Sequence, residues 1–184
     1  NPPGPAPKQD LSGAWVGPLS NRPDPVPPMT PAGEKIFKTR FRYLPAGPEG
    51  DKYEKLDLPP SNDPFITCDP LGFPRNLIAH AITSRGGTLF ASTPDRIVIG
   101  YEQQRVWREI WMDGRALPTA VDRRGAPESR FYGHSVGHWE NDNTLVVDTT
   151  NFVREGLFRF SSAKMHLVER FKLDDDQTLR YDFT

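Results

Sequence analysis

The second half of the chain alternates apolar and polar residues in short runs bounded by turn formers, the pattern of half-buried strands. Residues 96–102 and 105–112 are the strongest runs; they flank a tight connection at Gln103-Gln104, and Asp113-Gly114 closes the second. Residues 132–140 and 144–151 read as a hairpin around Asn141-Asp142-Asn143, residue types that tolerate positive φ. Residues 164–173 and 178–184 read as a last hairpin around the solvated run Asp174-Asp175-Asp176. Residues 78–83 and 88–92 are weaker strands, and 11–17 is a first short strand around Trp15. The last run stops at Thr184 inside a strand. The expectation is a short final strand or a chain that continues, because an unclosed barrel exposes an edge.

Helical periodicity is confined to one place. Thr30-Pro31 offers an N-cap followed by proline at the first helical position, and Ile36, Phe37 and Phe41 fall on one side, predicting a short N-terminal helix over 31–41. Prolines dominate the rest of this half. Residues 1–10 read as a flexible Pro-rich leader, and 18–29, with prolines at 18, 23, 25, 27 and 28, as an irregular arm. Residues 44–75 are also irregular but contain Phe65, Ile66, Leu71 and Phe73, so part of this long loop is expected to pack down as a lid or plug. The fold class expected is mostly β: an antiparallel barrel over 11–184 with one short N-terminal helix and an irregular segment over 18–75.

Composition narrows the function. The chain has 184 residues, of which 20 are proline and 15 glycine, which favours many turns over a helical bundle. Its 23 basic and 24 acidic residues leave a net charge of −1, so no strong field attracts nucleic acid or anionic lipid. No apolar run reaches the roughly 18–20 residues that span a bilayer. The single cysteine, Cys68, excludes an internal disulfide and a cysteine zinc site, and reads as a structural residue. A start at Asn1 followed by Pro-Pro-Gly-Pro-Ala-Pro reads as a processed start after an export signal, predicting a periplasmic or secreted protein. No phosphate loop, metalloprotease helix or Ca²⁺ loop is present, and no cofactor is expected.

Gly13-Ala14-Trp15, where the leader gives way to the first strand, resembles the Gly-x-Trp opening of lipocalin-like barrels. Three further strings resemble a lipocalin-like family of exported bacterial proteins of undefined function. They are Cys68-Asp69-Pro70-Leu71-Gly72-Phe73-Pro74-Arg75-Asn76, then Val106-Trp107-Arg108-Glu109-Ile110-Trp111-Met112-Asp113-Gly114-Arg115, then Gly133-His134-Ser135-Val136-Gly137-His138-Trp139-Glu140 with Leu145-Val146-Val147-Asp148-Thr149-Thr150. The resemblance covers 68–151 and implies fold and export rather than an activity.

Candidate chemistry sits on the strands. Pairing Trp139 with Thr144 puts His134, Val136 and His138 on the face of Leu145, Val147 and Thr149, and Ser135, Gly137 and Trp139 on that of Val146, Asp148 and Thr150; a slip of one residue exchanges the partners. His134 and His138 are roughly 13 Å apart at ~3.3 Å per residue, too far to chelate one metal without His80 or His166, so no metal site is expected. Asp148 stands in an apolar strand, with Arg108 as its expected partner. Glu102 and Glu109 are further strand carboxylates able to do acid/base work if they converge. Trp107 and Trp111 share a strand face, and Tyr101, Tyr132 and Trp139 add aromatic surface. Arg75 stands ready to hold a carboxylate at the barrel mouth. Gly133-His134-Ser135-Val136-Gly137 only superficially echoes a nucleophile elbow, because a hairpin rather than a helix follows.

The leading expectation is extracytoplasmic binding of a small, partly apolar molecule in a barrel pocket. Arg75, Tyr101, Trp107, Arg108, Trp111, Tyr132 and Trp139 would line it. One alternative is a lyase, isomerase or hydrolase using His134 with Asp148 or Glu102. Another is an interaction module using the arm and an open sheet edge, for which a homo-oligomer is the natural partner.

Overall fold

A computed structural model of the chain describes residues 3–16, 28, 30–32, 35, 71–77, 87–102, 105–118, 130–152 and 164–184. The chain divides into two compact units, residues 1–20 with 72–184, and residues 21–71. In the second, residues 31, 32 and 35 are helical, where the short helix is expected. The remainder of that helix, most of the irregular arm, Cys68, His80 and the weak strand over 78–83 lie outside the described residues.

The first unit is one eight-stranded sheet nearly closed into a barrel. Its strands follow chain order: β1 (Gly13–Trp15), β2 (Thr88–Ser92), β3 (Arg96–Tyr101), β4 (Val106–Trp111), β5 (His134–Asn141), β6 (Thr144–Thr150), β7 (Leu167–Leu173) and β8 (Leu179–Phe183). Alternation does its expected work in β7, where Leu167, Glu169, Phe171 and Leu173 are buried and the residues between them are not. The inward side chains join Phe90, Ile97, Ile99, Tyr101, Ile110, Leu145 and Val147 in one core. Residues from outside the strands complete it: Leu11 and Phe73 are fully buried, and Ala6 packs against them.

The leader runs along one end of the sheet. Gln9 N–H donates to Asp142 O in the β5–β6 turn, Lys8 pairs with Asp142 at 2.9 Å, and Gly4 N–H donates to Asp176 Oδ1 in the β7–β8 turn at 2.7 Å. Trp15 is tied back by its indole N–H, which donates to Leu11 O at 2.9 Å.

Two features correct the expected topology. The sheet is not wholly antiparallel: β4 and β5 run parallel and meet only at Ile110↔Ser135 and Trp111↔Val136. The connection from Met112 to Gly133 is long enough for the crossover that parallel neighbours require. The β5–β6 register is also shifted by one from the expected pairing. Trp139 faces Leu145 and Asn141 faces Thr144, with a bulge between Trp139 and Asn141. The extra residue, Glu140, moves every side chain of β5 to the other partner set. Ser135, Gly137 and Trp139 therefore share the inner face with Leu145, Val147 and Thr149, while His134, Val136 and His138 share the outer face with Val146, Asp148 and Thr150.

Candidate functional site

Two polar systems converge on the junction of β4 and β5, one inside the barrel and one outside. The inner one is built around Arg108, only 2% exposed, and Glu169, 0% exposed. Arg108 Nη1 donates to Glu169 Oε1 at 3.0 Å, and Nη2 bonds Glu169 Oε2. Nη2 also donates to Thr149 Oγ1 at 2.8 Å, and Nε donates to Ser135 Oγ at 3.2 Å. Ser135 and Thr149 hydroxyls are 2.9 Å apart, and Tyr181 O–H donates to Glu169 Oε1 at 2.8 Å. The guanidinium also lies over the Phe73 ring, 4.1 Å from its centroid. Burial opposes the charge on Arg108, but the adjacent Glu169 carboxylate holds the guanidinium above its ordinary pKa. Burial pushes the phenols of Tyr101 and Tyr181 far above theirs.

This network corrects the expected pairing of Arg108 with Asp148. Asp148 is on the outer face and pairs with His166 Nε2 at 2.9 Å. The partner is Glu169, which sequence reasoning missed. Its signal was present: Glu169 occupies the same phase of β7 as Leu167, Phe171 and Leu173, just as Arg108 occupies the phase of Ile110 in β4. A charge in the apolar phase of each of two strands marks a buried pair.

The outer system is a groove of about 400 Å³ lined by Val98, Trp107, Arg108, Glu109, Trp111, Arg130, Tyr132, Gly133, His134 and Ser135. It exists because the chain entering β5 leaves the side of β4. A turn closed by Gly133 N–H to Arg130 O at 3.0 Å, with Gly133 at φ +63, redirects it, and Arg130 N–H then bonds Asn151 O. A Cβ at Gly133 would lie 2.6 Å from Thr150 O, so a side chain there forces the backbone to shift.

The walls are distinct. Trp107 is 66% exposed and beds on its cross-strand partner Gly100, where an added Cβ would sit 3.0 Å from the indole. Trp111 is already covered, with the Arg96 and Arg115 guanidiniums 4.2 Å and 3.5 Å from its ring centroid. Arg115 is held by Asp113, and Arg96 Nη1 bonds Glu109 Oε1 at 3.2 Å. Arg130 makes no ion pair among the described residues. Tyr132 packs its ring on Phe73, centroids 5.0 Å apart. Burial pushes its phenol up to about 12, and its hydroxyl is buried without a hydrogen-bond partner among the described residues.

The expected site residues are therefore divided between the two systems. Trp107, Arg108, Trp111, Tyr132 and His134 border the groove. Tyr101 faces inward and packs its ring at a tilt against Phe73, centroids 5.5 Å apart, and Trp139 is half-buried against the core. Arg75 opens a helical turn over 75–77 and does not line the groove. His134 and Asp148 share the outer face one row apart. Glu102, just past β3, instead accepts from Gly87 N–H at 2.8 Å, three strands from Asp148 in sheet order. Of the acid/base candidates, Glu102 is therefore not brought to His134 and Asp148. Among the described residues no three His, Cys, Asp or Glu side chains are placed to share a metal ion, and no helix is long and apolar enough to cross a membrane. Comparison with family models, curated proteins and solved structures gives no match to this chain.

Proposed function

We propose that this protein binds a small, partly apolar molecule, and that it does so in the groove beside β4 rather than inside the barrel. What carries the reading is Trp107, a large aromatic surface left in solvent on a glycine bed at the rim of a groove that also presents Arg130. An aromatic wall with a few polar anchors is the usual composition of a ligand site. The barrel interior argues against an internal ligand. Its apolar side chains pack on one another, and the buried Arg108 spends donors on Glu169, Thr149 and Ser135.

The test is a small-molecule fragment screen read by NMR on the ¹⁵N-labelled protein. Hits should shift the Trp107 indole and lose about tenfold or more in affinity in Trp107→Ala and in Arg130→Ala, with Tyr101→Phe unchanged. Hits that ignore Trp107 and Arg130 but respond to Tyr101→Phe would move the site back into the barrel.

A further inference from the structure

The groove is more than a hollow between side chains, because among the described residues one of its walls is a strand edge with no neighbour. Met112 N–H donates to Asp95 O, which fixes the in-plane direction of every residue of β4. In an antiparallel ladder N–H and C=O of alternate residues face alternate neighbours. Arg108 and Ile110, like Met112, therefore point theirs at β3, and Trp107, Glu109 and Trp111 point theirs the other way. β5 takes up the end of that edge through the Ile110↔Ser135 and Trp111↔Val136 rungs. The groove begins where β5 stops. There the N–H and C=O of Trp107 and the N–H of Glu109 face it with no strand beside them among the described residues.

We propose that the occupant of the groove is an extended peptide segment bearing a carboxylate, bound as an added strand along β4 in the row that β5 vacates. This rests on the groove being the binding site. An inserted strand would lie about 4.8 Å from β4 and supply the partners that Trp107 and Glu109 lack, the mode by which peptides join sheet edges. Its outward side chains would meet the exposed indole of Trp107. Charge selects the carboxylate. Arg108 is neutralised by Glu169 and Glu109 is bonded to Arg96, which leaves Arg130 as the groove cation without an ion pair among the described residues. A guanidinium on a carboxylate is a strong, directional contact. An edge left bare is a liability that proteins usually blunt with proline, lysine or a bulge. The stretch from Trp107 to Glu109 carries no proline or lysine.

The experiment uses three probe sets on the full chain labelled with ¹⁵N. The first is a mixture of acetylated tetrapeptides, randomised at three positions and ending in a free carboxylate. The second is the same mixture N-methylated at alternate amides, and the third a set of aromatic carboxylic acids. The proposal predicts that the first shifts the backbone amides of Trp107 and Glu109 and slows their hydrogen exchange at least tenfold. N-methylation should abolish this, and Arg130→Ala should weaken it tenfold or more. Equal binding of the N-methylated mixture overturns strand addition. Aromatic acids that shift the Trp107 indole while the peptides leave the Trp107 and Glu109 amides unmoved overturn the peptide but keep the groove as a site. Silence from all three sets overturns both.

Discussion

Arg108 and Glu169 set the energetics at the scale of single residues. A buried, hydrogen-bonded ion pair is costly to break from one side, because the survivor is left charged and unpaired. Glu169→Ala should cost about 3–5 kcal/mol, whereas Asp148→Asn, which loses only a half-exposed pair with His166, should cost less than about 1 kcal/mol. Urea melts of the two variants measure the contrast, and equal effects would show that the wrong pair has been placed in the core. Tyr132 makes a second, pH-dependent case. Burial raises its phenol to about 12 from 10.0, so below pH 10 it is protonated in both folded and unfolded chains. Between about 10 and 12 the unfolded chain releases this proton and the folded one keeps it, so stability falls as pH rises through that window. Tyr132→Phe should shrink the fall without removing it, because Tyr101 and Tyr181 are shifted the same way. At neutral pH the substitution should be nearly neutral, since it deletes a buried hydroxyl that has no partner among the described residues.

Strands and turns explain what was and was not legible. The run from Leu145 to Thr150 alternates poorly, with four consecutive buried residues from Thr144 to Val147. The register of β5 on β6 therefore had to be inferred from the turn, and the bulge at Glu140 defeats that inference by a single residue. Asp148 looked like the internal carboxylate for the same reason. By contrast β3 and β4 alternate cleanly about a short connection, and the shared face of Trp107 and Trp111 is readable directly; that this face points outward is not, and both were expected in a barrel pocket. The parallel step from β4 to β5 was hidden because neighbouring strands in sequence usually pair antiparallel, and only the length of the 112–133 connection hinted otherwise. Gly133 is the element on which that step turns. Gly133→Ala would place a Cβ against the Thr150 carbonyl at positive φ. It should cost about 1–3 kcal/mol, measured by the same urea melts, with the larger share of disturbance at β5 rather than β7.

For the whole molecule, the expectation of a mostly-β barrel holds, and its sheet is nearly but not fully closed. The proposed function rests on where the sheet is interrupted. Among the described residues the barrel interior holds Phe90, Phe171, Leu145 and the Arg108–Glu169 pair, all buried. The break between β4 and residues 130–133 brings together space, an aromatic surface and backbone groups with no strand beside them among the described residues. The aromatic residues were visible in sequence, but their division between inside and outside depends on strand phase and on the parallel crossover. That is why Tyr101 and Trp107 read alike as site residues and end on opposite faces.

The proposed site depends on the open edge of β4, and amide hydrogen exchange of the free protein tests that edge most directly. Arg108 and Ile110 N–H groups, bonded to β3, should exchange slowly, and those of Trp107 and Glu109 at least a hundredfold faster. Equal protection of all four would mean that the edge is already paired, and would contradict the site.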